Sequence, residues 1–412
     1  MTDMPVVEIS PIKVGIDKKR KNGDLMNIGV ARETFPGEKR VALVPAVMPN
    51  LKKAGFEIVI EEGAGLASGI SDTAYRERGA QIVKSRQIAI GSSEIILYVR
   101  GLGANRNAGM ADFDLYRKGQ VIVGMLDPSN SQTELKKLAE MGVTAFALEL
   151  LPRTTRAQSM DVLSSMATAA GYKAVLMAAQ TLPKMFPLLM TAAGTVPAAR
   201  VFILGAGVAG LQAIATARRL GAIVQAYDIR PAVKEQVESL GAKFVELPLE
   251  SGRSETSGGY ARAMDAEFYS RQQELMAQVV AGSDVVICTA AVPGKRAPLL
   301  ITGDMVGKMK LGAVIVDLAA EQGGNCELTK PGENVVHGGV SIMGPVNLAS
   351  DLSFDSSQMY SRNLANFLLY LIGEDGKLRL NSDDEIIRAT NATSPARLSN
   401  SGTTPSAPSS GQ

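Results

Sequence analysis

The run Arg200-Val-Phe-Ile-Leu-Gly-Ala-Gly-Val-Ala-Gly210 constrains this chain more than any other stretch. Val201 to Leu204 form a short apolar run that reads as a buried strand. The run breaks at Gly205, Gly207 and Gly210, and a helical pattern follows from Leu211 to Leu220. Strand, glycine turn and helix in that order are what a dinucleotide pyrophosphate needs. Gly205 permits the tight turn, Gly207 lets the phosphates approach the backbone, and Gly210 lets the helix pack on the strand. The amides at the helix start, Val208 first among them, then face the anion.

A glycine turn between strand and helix can be purely structural, so its context decides. A second strand, Ala222 to Asp228, ends in an acid about 20 residues past the glycines, as the motif requires. An acid at that strand end accepts the two hydroxyls of an adenosine ribose, which favours NAD over NADP. Arg230, two residues on, leaves room for weak NADP binding. The domain therefore reads as a dinucleotide-binding domain for NAD(H).

A chain of 412 residues has room for two domains of ordinary size. Its 46% hydrophobic content supplies real cores, and a net charge of +2 argues against nucleic acid as the main partner. The basic run Lys18 to Lys21 sits in a polar leader and reads as solvated. No stretch approaches the roughly 18 to 20 unbroken apolar residues of a membrane span. The apolar region from Val175 to Met190 is interrupted by Gln180, Pro183, Lys184 and Pro187. No long apolar core follows the first charges, as a secretory signal would require. Cys288 and Cys326 are the only cysteines and His337 the only histidine, so a disulfide framework, a two-histidine mechanism and a structural zinc site are all disfavoured.

The segment from Asn27 to about residue 150 alternates short strands with helices, the pattern of βαβ units and a parallel sheet. Expected strands are Asn27 to Ala31, Glu57 to Ile60, Ile95 to Val99, Val121 to Gly124 and Thr144 to Leu148. Expected helices are Val44 to Ala54 and Ser131 to Met141. An Ala-rich helix from Val162 to Leu182, with Asp161 at its N-cap, leads into the nucleotide domain. That domain continues through strands Lys243 to Leu247, Val285 to Thr289, Ala313 to Leu318 and Val340 to Gly344. An amphipathic helix from Ser356 to Ile372 comes too late for the nucleotide sheet and is expected to pack back on the first domain. The expected fold is α/β: two Rossmann-like doubly wound parallel-sheet domains with a cleft between them, the first domain discontinuous. Residues 1–25 read as a flexible extension, 26–160 with 353–388 as the first domain, and 161–352 as the NAD(H)-binding domain. From Ala389 the Ser, Thr, Pro, Gly and Asn content reads as a disordered tail.

Three further stretches offer chemistry. The loop Pro152 to Ser165 gathers Arg153, Arg156, Gln158, Asp161 and Ser164 at the domain junction, and reads either as a solvated connector or as part of an interdomain ligand site. Residues Ser251 to Asp265, with Gly259 and Tyr260, read as a mobile flap or a linker. Val316 to Asn325 is a strand end opening into a glycine turn, placed to floor the cleft. Thr289, Ala290 and Ala291 end the preceding strand beside the expected cofactor ribose.

Gly29-Val-Ala-Arg-Glu-Thr, Glu38-Lys-Arg-Val-Ala-Leu-Val-Pro45 and Met190-Thr-Ala-Ala-Gly-Thr-Val-Pro197 resemble the signature shared by alanine dehydrogenases and proton-translocating nicotinamide nucleotide transhydrogenases. So does the glycine turn through Ala213. Arg153 to Ser165, Gly258 to Tyr260 and Val316 to Cys326 are similar to the transhydrogenase branch, and the resemblance covers about residues 26 to 375. The dehydrogenase branch uses a lysine and a histidine in its first domain to hold and deprotonate substrate. Here Ile95 to Arg100 offers Tyr98 where the lysine is expected, Val121 to Pro128 has no histidine, and Glu321 precedes Gln322 in the glycine turn. Oxidising an amine or alcohol requires a group to take its proton; hydride exchange between two nicotinamides does not.

The resemblance implies the NAD(H)-binding component of a bacterial transhydrogenase with a split α chain. It would pass hydride between NADH and NADP⁺ held on a partner subunit. Membrane-spanning partner subunits would couple this to proton translocation, with the chain on the cytoplasmic face of the plasma membrane and paired as a homodimer. It also implies roles: Gly205, Gly207, Val208 and Gly210 at the pyrophosphate; Asp228, Ile229 and Arg230 at the adenosine; Ala291 beside the ribose. Arg153, Gln158, Asp161, Val162, Leu163 and Ser164 would orient the nicotinamide, with Gln158 nearest the partner's ring, and Gly259 and Tyr260 would close over the nucleotide. A divergent amino-acid dehydrogenase and a non-enzymatic NAD-sensing module are the alternatives, and neither requires an NADP(H)-binding partner.

Overall fold

A computed structural model describes residues 26–246, 266–291, 296–373, 376–380 and 383–399, with side-chain burial undescribed for 266–273 and 399. The expected 1–25 extension, the flap with Gly259 and Tyr260, Leu247 and residues 400–412 lie outside the described residues.

The first sheet contains β1 (Met26–Val30), β2 (Phe56–Glu61), β3 (Gln81–Val83), β4 (Ile95–Arg100), β5 (Val121–Met125) and β6 (Thr144–Ala147), in the order β3-β2-β1-β4-β5-β6. Every pairing is parallel. Its strands are apolar on both faces, as a doubly covered parallel sheet demands. Ile95, Leu97 and Val99 enter one core while Ile96 and Tyr98 enter the other. A short hairpin follows, β7 (Leu189–Thr191) with β8 (Gly194–Val196).

The second sheet contains β9 (Arg200–Leu204), β10 (Ile223–Tyr227), β11 (Lys243–Phe244), β12 (Val285–Cys288), β13 (Val314–Asp317), β14 (Asn334–His337) and β15 (Val340–Met343). Their order is β11-β10-β9-β12-β13-β15-β14. Only the edge strand β14 is antiparallel, and it was not expected from the sequence. Both sheets are therefore doubly wound, and each reverses its winding beside its first strand, between β1 and β4 and between β9 and β12. Crevices at such switch points are where open α/β sheets bind ligands.

The helix Val162–Thr181 joins the two halves. Asp161 caps it, accepting from Ser164 N at 2.9 Å through Oδ1 and from Ser164 Oγ at 2.6 Å through Oδ2. Val162, Met166 and Ala169 belong to the first core, whereas Ala174, Val175 and Ala178 belong to the second. By length and composition this helix could cross a membrane; here its apolar residues are divided between the two cores. The return helix Ser353–Leu371 packs Tyr360, Leu364, Phe367, Leu368 and Leu371 into the first core.

Two expectations need correction. Val44 to Ala54 is not one helix: Pro45–Val47 is a 3-10 turn and Met48–Lys53 an α-helix, because Pro45 and Pro49 each start a new helical turn. The reading of everything beyond Ala389 as disordered also fails for 389–399. Asp384 caps the helix Glu385–Thr390, and Asn391 bridges to Phe146 on the open edge of β6. Ala392 N donates to Ala145 O at 2.8 Å and Ala145 N donates to Thr393 Oγ1 at 3.0 Å. An exposed sheet edge gains from being covered, and a few small polar residues suffice to cover it.

Candidate functional site

The glycine turn leaves β9 and enters the helix Val208–Arg219. Gly205 has a φ of +96°, and a Cβ there would lie 2.7 Å from Thr289 Oγ1 and 3.0 Å from Ala290 N. A Cβ on Gly210 would lie 1.9 Å from Gly205 O, so this position fixes how closely the helix sits on the turn. Gly207, the N-cap, is the opposite case: nothing lies within 4 Å of an added Cβ, and no side chain caps the helix. The uncapped amides beyond it, on Val208, Ala209 and Gly210, are donors without helical partners, which suits an anion. Open space in front of Gly207 and uncapped amides behind it fit a dinucleotide pyrophosphate.

Asp228 follows β10 and lies beside this turn. Its Oδ2 accepts from Ala206 N at 2.7 Å and its Oδ1 from Arg230 N at 2.9 Å. Arg230 also donates from Nε to Oδ1 and from Nη2 to Oδ2, both at 2.9 Å. Ile229 is half-buried beside them.

The stretch Val316 to Asn325, expected to floor the cleft, contributes a polar frame through Asp317 and Asn325, whose individual roles the sequence left unassigned. Asp317, fully buried at the end of β13, accepts from Ala319 N through Oδ1 and from Asn325 N, Cys326 N and Thr329 Oγ1 through Oδ2. Asn325 in turn accepts from Ala290 N at 3.1 Å and donates to Ala290 O and Pro298 O, both at 2.8 Å. Thr289 Oγ1 serves Leu204 O and Gly205 O. Together they hold the ends of β9, β12 and β13 in one frame beside Ala291, which is exposed. A buried acid directly after an apolar strand, with a Gly-Gly-Asn turn beyond it, was the signal available for Asp317 and Asn325.

Across the cleft, Arg153, Asp161 and Leu163 line a cavity of about 270 Å³ with Glu149 and three more leucines. Val162 is buried beneath it, and Gln158 is exposed on the 3-10 turn Gln158–Met160. Ser164 is engaged by Asp161. Arg156 leaves this group: its guanidinium bonds Tyr370 and pairs with Asp384 at 2.6 Å, tying the loop to the return helix and the C-terminal segment. Burial pushes Glu149 up from 4.5 to about 7, against the Leu126 and Asp127 amides that its Oε1 accepts.

A polar strap joins the two halves at the C-terminal ends of both sheets. Arg40 and Glu38 form a buried pair at 2.6 Å. Asn347, held in the left-handed region at φ 54°, accepts from Arg40 at 2.8 Å and from Arg100 at 3.2 Å, and donates to Glu38 at 2.9 Å. Its own N–H donates to Glu321 at 2.8 Å. Burial raises Glu38, but the hydrogen bonds and charge of Arg40 outweigh it and hold the carboxyl below its ordinary range.

Tyr98 hydrogen bonds to Asp112 Oδ2 and to Tyr116 Oη, each at 2.9 Å, and Arg86 pairs with the same Asp112. Burial pushes the Tyr98 hydroxyl well above its ordinary range, so it serves as a neutral donor rather than a base. His337 lies exposed on the edge strand β14.

Residues 29–170 match the N-terminal domain, and 174–400 the C-terminal domain, of the family described as alanine dehydrogenase/PNT. The chain belongs to the alanine dehydrogenase/PNT family. It is 45% identical over 371 residues to the first portion of the NAD(P) transhydrogenase alpha subunit of Rhodospirillum rubrum, covering 89% of this chain and 96% of that one. A crystal structure of transhydrogenase from Sinorhizobium meliloti superposes with a TM-score of 0.78 at 42% identity, over 89% of this chain and 97% of that one. Alanine dehydrogenase 2 of Staphylococcus aureus shares 30% identity over 356 residues, 83% of this chain and 88% of that one. Within the alanine dehydrogenase/PNT family the chain thus shares more sequence with these transhydrogenase subunits than with this dehydrogenase.

Proposed function

We propose that this chain is the NAD(H)-binding component of a proton-translocating transhydrogenase. The bound nucleotide would supply hydride exchange with NADP(H) held on a partner subunit. The observation that carries this reading is a turn fitted for a dinucleotide in a chain whose Tyr98, where the dehydrogenase branch has its lysine, is tied to Asp112 and Tyr116 and cannot serve as that base. Oxidation of an amino acid would need some group other than the dehydrogenase lysine and histidine to take its proton. Transfer between two nicotinamides asks the protein only to orient them and exclude water.

The chain's residues divide that work. Gly205, Gly207, Val208 and Gly210 would cradle the pyrophosphate, and Asp228 with the backbone of Ile229 and Arg230 the adenosine, with Ala291 at the ribose. Arg153, Asp161 and Ser164, carried on Val162 and Leu163, would orient the nicotinamide, and exposed Gln158 would meet the partner's ring. Gly259 and Tyr260 would cover the nucleotide. The strap through Asn347 holds both sheet ends at the cleft.

Partners follow from the same reading: an NADP(H)-binding domain and membrane-spanning subunits, with this chain on the cytoplasmic side of the bacterial plasma membrane through them. A homodimer is supported by the apolar hairpin region, where Met185, Leu188 and Met190 are 54%, 59% and 85% exposed. The test is reduction of an acetylpyridine analogue of NAD⁺ by NADH, with and without an NADP(H)-loaded partner domain. Activity that needs that domain supports the proposal; alanine-dependent NAD⁺ reduction by the chain alone refutes it.

A further inference from the structure

The adenosine end of the cleft carries a specificity device, which rests on the NAD(H)-site reading above. An ionised carboxylate offers about four acceptor sites. On Asp228 four donors already use them: Ala206 N, Arg230 N, Arg230 Nε and Arg230 Nη2. The pair is well shielded, with side-chain exposures of 8% for Asp228 and 17% for Arg230. Two of the donors are main-chain groups fixed by the turn. The other two sit on the Arg230 side chain, not on the main chain. A ribose diol can reach both carboxylate oxygens only by replacing the guanidinium.

We propose that Arg230 is a specificity-determining residue that acts as an internal competitor for Asp228. Folded onto the carboxylate, it fills the diol site until a nucleotide displaces it. The same contact sequesters a group suited to a 2′-phosphate, since a guanidinium fork matches phosphate geometry. Asp228 therefore rejects NADP(H) twice: its charge repels the 2′-phosphate, and it holds the cation that would attract one. Removing the carboxylate charge would remove this competition and leave the Arg230 guanidinium beside the ribose to meet a phosphate.

The experiment measures NADH and NADPH binding to the full chain by nucleotide fluorescence, for the natural protein, Asp228→Asn, Arg230→Ala and the double variant. Asp228→Asn should weaken NADH and strengthen NADPH by about tenfold each, and the double variant should lose the NADPH gain. Arg230→Ala alone should tighten NADH by roughly three- to tenfold, because the diol no longer competes. Equal NADPH binding by Asp228→Asn and the double variant would overturn the proposal, as would weaker NADH binding by Arg230→Ala. Arg230→Ala keeps the Asp228–Ala206 contact, so it decides the matter even if Asp228→Asn does not fold. Failure of the natural chain to bind NADH would instead refute the NAD(H)-site reading itself.

Discussion

Gly171→Ala reverses the ordinary expectation for a glycine inside a helix. On helix propensity alone, alanine in the middle of Val162–Thr181 should stabilise the protein by about 1 kcal/mol. The structure predicts the opposite. An added Cβ would lie 2.1 Å from Ala209 O, 2.9 Å from Ala209 C and 3.0 Å from Ala209 Cα. A carbon and a carbonyl oxygen pack at about 3.3 Å or more, so the helices would have to part by roughly 1 Å. The clash is with backbone, and no rotamer relieves it. Overpacking of this kind costs about 3 kcal/mol at its upper end, leaving a net loss of about 2 kcal/mol after the propensity gain. For domains of this size that is a fall in Tm of about 4 to 8 °C. Ala209 is also in the first turn of the pyrophosphate helix, so NADH affinity should fall with stability. Thermal unfolding and NADH titration test both. An unchanged or raised Tm with native NADH affinity would mean the helices do not cross this closely.

Gly207→Ala is the complementary case: the added Cβ meets nothing and φ is −76°, so Tm should hold while NADH affinity drops by at least about tenfold; unaltered binding would put the phosphates elsewhere. Asp161→Asn keeps a capping oxygen, so stability should stay within about 0.5 kcal/mol while hydride transfer with the partner slows. Asp161→Ala should add a loss of about 1 kcal/mol, and an Asn variant with full rate would reduce Asp161 to a cap. Glu149 gives a pH signature. Its proton is bound more tightly in the folded state, so its contribution to stability is full below about 4.5 and is lost as pH rises through about 7. Glu149→Gln stays neutral and can still accept from Leu126 N and Asp127 N, so it should come within about 1 kcal/mol of the natural protein in urea unfolding at pH 5 and exceed it at pH 8.5 by up to about 3 kcal/mol. Equal differences at both pH values would refute that account.

The central strands of both sheets were legible because parallel strands buried on both faces leave unbroken apolar runs, as at Ile95 to Val99 and Val201 to Leu204. Short edge elements leave no such trace. β3 and β14 are three and four residues long and were not expected, and the hairpin β7–β8 is read only within a family signature. The 389–399 segment looks like a tail by composition, since its packing is carried by backbone pairing to β6 and the Thr393 hydroxyl rather than by an apolar stripe. The glycine turn and the Asp161 cap carry local rules and were read directly. The bonds from Asn325 to Ala290 and the strap through Asn347 join residues far apart in the chain, which only the fold brings together. The Arg230–Asp228 contact could have been suspected from their spacing, but its use of every carboxylate site could not.

The most direct test of the central claim is single-turnover hydride transfer between NADH on this chain and an NADP⁺-loaded partner domain, followed by nicotinamide absorbance. The predicted result is rapid transfer that requires both proteins and both nucleotides, and that is lost in Gly207→Ala at NADH concentrations saturating for the natural chain. Transfer to an amino- or keto-acid couple by this chain alone, or no transfer when NADH is demonstrably bound and the partner is loaded, would contradict it.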